Sequence, residues 1–304
     1  MNKLIRNTFY KKLNFFRKTA QIISLLFLIA VPVLIVNEFY YIYGNLYSIT
    51  IFGVDIVDPA MALQTFILSW EFVKVMLIGM LIPIIIASIF GKIFCSWMCP
   101  FNTISEYWEK IVAKIFKKRR KISRLQTVES NPPVSIYWTV LSSLFVITLL
   151  VNFPLLAFLS APGIISSEIS HYVMGMGIGL ELGVIFLILL VEGFFFKRIW
   201  CKYVCPVGGV LSIFRFKKTL RINHDPAVCT CAGTIDPCSL SCPLGLSPKD
   251  KGLYPYCYNC GRCIMTCEKT GFGALSFGFG ANNKSVKESI ENSKTEENEL
   301  LVKE

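Results

Sequence analysis

Eight of the twelve cysteines fall within thirty-nine residues, Cys229 to Cys267, and this crowding constrains the chain more than any other feature. The second quartet, Cys257, Cys260, Cys263 and Cys267, has C-x2-C-x2-C-x3-C spacing. In that spacing three thiolates clamp one cubane and the fourth reaches a neighbouring cluster. The first quartet, Cys229, Cys231, Cys238 and Cys242, is followed by Pro243 and is looser, C-x1-C-x6-C-x3-C-P. Two 4Fe-4S clusters with exchanged fourth ligands are expected. One set is Cys257, Cys260, Cys263 and Cys242, and the other is Cys229, Cys231, Cys238 and Cys267. Zinc competes as a reading, because any four thiolates can hold it tetrahedrally. Zinc sites usually pair two C-x2-C hooks, however, and a tight run of three cysteines followed by a fourth suits a cubane better. Disulfides are disfavoured, since the local spacings point to metal and cubane thiolates belong in a reducing compartment.

With 54% hydrophobic residues and a mean hydropathy of +0.55 over 304 residues, the rest of the chain reads as a membrane protein carrying a small soluble module. Residues 1–18 hold Lys3, Arg6, Lys11, Lys12, Arg17 and Lys18 with no acid. The apolar run at 20–37 is long for a signal peptide and ends in N-E-F-Y-Y-I-Y, without a small-residue cleavage site. It is therefore expected to remain as a first span. Further spans are expected at 72–90, containing Pro83, at 136–159 and at 176–195. Tyr40, Tyr41, Tyr43, Tyr47 and Trp70 should then lie near the far interface.

Loop charges orient these spans. Lys92 to Arg124 holds nine Lys or Arg against two Glu, Lys197 to Arg221 holds seven with no acid, and loops 38–70 and 160–175 hold none. Positive short loops stay inside, so both termini and the cysteine-rich module are predicted to be cytoplasmic. The net charge of +11 follows from this bias and from attraction to anionic lipid, with no nucleic-acid partner needed.

Each half of the membrane part ends in C-x3-C-P on the cytoplasmic side: Cys95, Cys99 and Pro100, then Cys201, Cys205 and Pro206. Each half also carries an outside loop of hydrophobic and small residues, I-T-I-F-G-V-D-I-V-D-P-A and F-L-S-A-P-G-I-I. Hairpins repeated in the same sense imply a pseudo-two-fold axis along the membrane normal, bringing four thiols to one level. A shared metal, a pair of redox dithiols, contact with the cubane module, or simple packing of small residues at a helix end all fit that placement. Acids and histidines near spans are functional candidates. Glu181, His171 and Asp58 are accordingly candidates for a quinone site or a proton exit.

Over residues 18–280 these features resemble the membrane-bound ferredoxin-type subunits of periplasmic nitrate reductase and methylamine-utilisation systems, the NapH/MauN type. The shared features are four spans, C-x3-C-P after the second and fourth, G-V-D-I-V-D-P-A in the first outside loop, and a two-cluster ferredoxin module. The resemblance implies quinol dehydrogenation, or electron relay from the membrane quinol pool to a second redox protein such as a periplasmic cytochrome or ferredoxin-type subunit. It maps the family's paired cysteines to Cys95 with Cys99 and Cys201 with Cys205, and its ferredoxin ligands to the eight later cysteines. This chain departs in its loose first quartet and in Glu268, which follows Cys267 where the family has proline.

The expected fold is therefore a mainly α membrane protein, with four transmembrane helices in two repeated hairpins and a cytoplasmic bacterial-ferredoxin-like module. Its parts are a basic N-terminus (1–18), a first hairpin (19–125), a second hairpin (126–221), the ferredoxin-like module (222–281) and a disordered tail (282–304). Within that module, a short strand is expected in R-I-N-H-D-P and another in G-A-L-S-F-G-F. No Rossmann fingerprint, P-loop or flavin motif is evident, so the chain reads as a relay subunit of a respiratory complex in the cell inner membrane. The alternative is an assembly factor in which the four C-x3-C-P thiols bind or reduce a metal for a respiratory enzyme.

Overall fold

The computed structural model describes residues 3–70, 73–116, 131–177, 179–195, 197–226, 228–229, 236–249, 253–270 and 273–280. Cys231 and the expected disordered tail lie outside the described residues. The architecture is mainly helical. Helix α1, Lys3–Val36, continues from the basic N-terminus through the first apolar run, and α7 is Val134–Val151. Among the described residues, Lys12–Val36 and Val134–Val151 are long and apolar enough to cross a membrane on their own.

The other expected spans are helical but shorter. Region 72–90 is built from α3, Lys74–Gly79, and α4, Leu81–Phe90, and the fourth span is α10, Glu181–Phe195. The third does not run to Leu159. It stops at Val151 because Asn152 turns left-handed, with φ 51 and ψ 38, a conformation asparagine tolerates better than most residues, and Pro154 follows.

The two connections read as outside loops are structured and turn back into the protein. In the first, β1 (Ile42–Gly44), β2 (Ser48–Ile51) and β3 (Val54–Val57) form an antiparallel sheet in the order β1-β2-β3. A two-residue Phe52-Gly53 turn with positive φ at both residues joins β2 to β3, the conformation that matches strand twist. Helix α2, Pro59–Ser69, then starts at Asp58, whose Oδ1 accepts the Ala60 N–H at 3.2 Å, and proline occupies the first turn.

In the second connection, α8 (Leu155–Leu159) leads to α9 (Ala161–Val173), which has Pro162 in its first turn. The starts of both helices are buried, with Ala60 1% and Ala161 0% exposed. Tyr47 ties the connections together: its hydroxyl donates to the Ala157 carbonyl at 2.9 Å and its ring packs against Gly163. A Cβ at Gly163 would stand 2.0 Å from Tyr47 Cε1, so only glycine fits.

Each half then delivers its cysteines in the same way. Helix α5 (Ile93–Trp97) precedes α6 (Pro100–Ile115), and a π-helical turn (Trp200–Val204) precedes α11 (Pro206–Ile213). The ferredoxin-like part contains β4 (Leu220–His224), α12 (Pro237–Leu240), α13 (Arg262–Lys269) and β5 (Leu275–Phe279). Strands β4 and β5 pair antiparallel from Leu220 with Phe279 to His224 with Leu275, where the two short strands are expected.

This part is fastened to the helices by a buried ion cluster. Glu106 on α6 accepts from Arg17 Nη1 of α1 at 2.5 Å, from Lys18, and from Arg262 Nη2 of α13 at 3.1 Å. Burying a carboxylate costs several kcal/mol unless it is paired, and three cations meet that need here.

Candidate iron-sulfur and thiol centres

Cys257 and Cys260 lie in the loop before α13, and Cys263 lies in its first turn. The loop is shaped by Asn259 and Gly261, with φ 54 and 72. Asn259 Nδ2 donates to the carbonyls of Phe90 at 3.0 Å and Leu220 at 2.8 Å, pinning the loop to both α4 and β4. Cys242 reaches the same place from the end of α12. The four cysteines, together with Ile222, Leu244 and neighbours, line one small apolar pocket. This is the quartet predicted from the spacing.

Burial, followed by the neighbouring Cys260 and Cys257, pushes the Cys242 thiol up to about 12, so the thiolate form needs a cation in that cavity. Iron supplies one. Arg215 and Lys92 lie within electrostatic range of Cys257 and would offset the charge of a thiolate-bound cluster. Among the described residues no group of three or more His, Cys, Asp or Glu is arranged to hold a single metal ion. Four cysteines lining one pocket, with Arg215 and Lys92 within electrostatic range of Cys257, fit a thiolate-held cluster.

Of the other expected quartet, Cys238 and Cys267 are buried in the same core and Cys229 packs against it. Cys267 Sγ accepts the Ala274 N–H at 3.3 Å. The fourth member, Cys231, is outside the described residues.

The C-x3-C-P thiols do come together. Cys95 and Cys205 pack on one apolar cluster with Ala60 and Ala87, while Cys99 and Cys201 pack on an adjoining one with Ala161 and Ile164. Cys205 is within electrostatic range of Cys95, Cys99 and Cys201. Two helices begin directly at these sulfurs: α6 is capped by Cys99 and α11 by Cys205. Burial pushes the thiols of Cys99 and Cys205 up, and the first-turn amides of Phe101 and Asn102 at Cys99, and of Val207 and Gly208 at Cys205, offset part of that, as expected at a helix N-terminus. A Cβ at Gly208 would stand 3.8 Å from Cys95 Sγ. Ser160, at the N-cap of α9, keeps a buried hydroxyl with no hydrogen-bond partner. Cys95 and Cys201 also pack against the ferredoxin-like core, and Lys92 lies within electrostatic range of both Cys95 and Cys257.

Asp58, expected in an outside loop, instead sits beside the thiols, within electrostatic range of Cys95 and Cys205. The connection that carries it folds inward as β3 and α2. His171 is exposed in the last turn of α9, and Glu181 is half-buried at the start of α10, within electrostatic range of Tyr47. Asp58 and Glu181 both lie within electrostatic range of Tyr47. Two buried acids were not foreseen from the sequence: Glu106, and Glu168 on α9, whose Oε2 accepts the Gly179 N–H at 2.8 Å.

A family described as a 4Fe-4S binding domain matches residues 72–122 and 178–223, that is, the two stretches that each contain one C-x3-C-P pair. An uncharacterized protein of Methanocaldococcus jannaschii is 30% identical over 209 residues, covering 68% of this chain and 73% of the relative. The ferredoxin-type protein NapH of Escherichia coli is 24% identical, over 76% of this chain and 79% of its own. The methylamine utilization ferredoxin-type protein MauN of Paracoccus denitrificans is 25% identical, over 74% and 65%. The chain belongs to the NapH/MauN-type family of 4Fe-4S ferredoxin proteins. As a member of that family it is an iron-sulfur electron-transfer protein of the ferredoxin type. The family match falls on both halves of the repeat and outside the eight later cysteines. No solved structure matches the chain.

Proposed function

We propose that this family member is a multi-pass membrane protein that oxidises hydroquinone and relays the electrons through the four-thiol centre to two cubanes on the cytoplasmic side, and on to a second redox protein. The observation that carries the reading is the shared packing of Cys95 and Cys201. They belong to the box of four thiols and also touch the core that holds Cys257, Cys260 and Cys263. Electrons entering the box would thus need no further protein layer to reach the clusters. The 4Fe-4S family match over both C-x3-C-P halves supports iron there as well. When bound, iron-sulfur groups would supply one-electron storage. The chain's part is to hold the thiols dry, to offset their charge with Lys92 and Arg215, and to fix the module on α1 and α6 through Glu106.

Membrane placement is supported by apolar side chains left exposed on the helices: Leu26 61%, Leu150 75% and Leu187 62% exposed. Faces of that kind belong in lipid. In this reading α1, the α3–α4 pair, α7 and α10 cross the bilayer, and α2 and α9 re-enter it from the far side without crossing. The exposed Tyr40, Tyr41 and Trp70 lie at the far interface. Both termini are cytoplasmic, because the basic loops are on that side. The domain limits at 18, 125, 221 and 281 follow from the same reading. The assembly-factor alternative requires thiols that a metal can reach and leave. Burial of Cys99 at 6% exposure favours a resident centre.

The test is anaerobic purification with iron, sulfide and zinc analysis and electron paramagnetic resonance, before and after adding menadiol. Reduction of the iron signals by menadiol supports the reading. A protein holding stoichiometric zinc and no iron, or one reduced by dithionite but never by a hydroquinone, would overturn it.

A further inference from the structure

A cavity of about 950 Å³ opens between α9 and α10, walled by Ile29 of α1, Ile104 of α6, and Ile165, Tyr172 and Phe186. Its lining is apolar apart from two groups, the Tyr172 hydroxyl and the Glu168 carboxylate. Glu168 is 6% exposed, and its Oε2 is held by the Gly179 N–H at 2.8 Å. Gly179 packs directly on that carboxylate: a Cβ there would stand 2.4 Å from Glu168 Oε1 and push the side chain aside. Gly183 does the opposite: a Cβ there would meet nothing within 4 Å, so the missing side chain leaves the groove wide. At the other end of the cavity, Ile165, Ile185 and Leu189 belong to the cluster that contains Cys99. From Ala161 at that cluster to Glu168 is seven residues of helix, about 10 Å.

We infer that this cavity binds the ring of a lipid-soluble hydroquinone, with Glu168 as the group that takes its proton. The volume lies near the upper end for small-molecule sites, which are mostly apolar with a few placed polar groups. An acyl chain alone would gain nothing from a carboxylate buried in the wall, whereas a phenolic hydroxyl would. A buried acid in a membrane protein is by default functional. In the first step one O–H bond of the hydroquinone breaks. Its proton goes to Glu168 Oε1, and its electron would be taken up by the iron-sulfur centres that the cysteines hold when loaded. Glu168 then passes the proton to water at the α9–α10 turn, where Tyr172 is exposed. The second O–H follows the same course, and the quinone leaves with two electrons and two protons accounted for. The inference rests on the hydroquinone-oxidising reading, and the test separates the two.

The experiment uses the full chain with its clusters in lipid nanodiscs, menadiol as reductant and an azido-naphthoquinone as photolabel. The parent should be labelled on α9 and α10 and its cluster absorbance bleached by menadiol. Glu168→Gln keeps an oxygen for the Gly179 N–H, so it should be labelled like the parent but bleached at least about 100-fold more slowly, the size of a lost proton acceptor. Gly183→Leu fills the groove and should cut labelling at least tenfold, with iron content unchanged. Labelling elsewhere in the chain, or equal bleaching rates for Glu168→Gln and the parent, would overturn the site. A parent labelled on α9 and α10 but never bleached by menadiol would support the binding site while overturning both hydroquinone oxidation and the proton-accepting role of Glu168.

Discussion

Replacing Glu106 by glutamine removes the one anion to which Arg17, Lys18 and Arg262 converge, while keeping an oxygen to accept from Arg17. Breaking a buried ion pair by removing one partner costs about 3–5 kcal/mol. Here the lower end applies: Lys18 and Arg262 are 21% and 19% exposed and can regain water, whereas Arg17 at 2% cannot. Titration of the carboxyl gives a similar figure. Burial alone would raise Glu106 above its ordinary 4.5, but Arg262, Arg17 and Arg198 outweigh it and hold the group at about 2. A drop of about 2.5 units at about 1.36 kcal/mol each is about 3 kcal/mol of stability. Because the folded value is depressed, this contribution is complete above the unfolded value near 4.5 and is lost as the pH falls toward 2. About 1.4 kcal/mol of it is gone at pH 3.5. Denaturant unfolding in detergent, followed by tryptophan fluorescence, should show Glu106→Gln destabilised by about 3 kcal/mol near neutral pH. The gap to the parent should stay flat down to about pH 5 and then narrow. A gap under about 0.5 kcal/mol, the usual range for a surface change, would refute the reasoning.

Gly163→Ala should lower unfolding stability by about 1–3 kcal/mol through the clash with Tyr47, and adding Tyr47→Ala should recover part of the loss because it removes the ring. Cys260→Ser should lose the cluster held with Cys242, Cys257 and Cys263, seen as about four irons lost and one set of paramagnetic signals missing. Reporter fusions after residue 125 and at the C-terminus should both report cytoplasm, and one near residue 165 should report the far side; an external C-terminus contradicts the placement of the clusters.

What could be read from the sequence was whatever local spacing encodes. The run from Cys257 to Cys267, the two C-x3-C-P motifs and the short strands bracketing the module are all patterns within about a dozen residues, and the structure has them where expected. The missed features depend on contacts between distant residues. Glu106 sits in S-E-Y-W-E-K, which reads as the solvated face of a basic helix. Its cations come from residues 17, 18 and 262, on two other helices. Glu168, in I-I-S-S-E-I-S-H, is buried only because α9 turns inward and Gly179 packs on its carboxylate.

The inward turn of the two connections is the instructive case, because its signals were present. Asp58-Pro59-Ala60 and Ser160-Ala161-Pro162 each place a capping residue just ahead of a first-turn proline, the usual start of a helix. Eleven and thirteen helical residues are too few to span a bilayer, so the stretches read as loops between spans. A short helix whose first turn is buried can still serve a purpose that a spanning helix cannot, since it brings a positive N-terminus and free amides to the middle of the protein. Helices α2 and α9 start in the two apolar clusters that hold the four thiols, and α6 and α11 start at Cys99 and Cys205 themselves. Four helix N-termini thus lie around a buried group of cysteines; burial pushes all four thiols up, toward the neutral form, and the first-turn amides at Cys99 and Cys205 offset part of that. The repeat seen in the sequence as two cysteine pairs is, in three dimensions, a repeat of two helix starts per pair. That doubling is what the proposed four-thiol centre rests on: the thiols share one buried place, and holding them there as thiolates would take a bound cation to offset the burial.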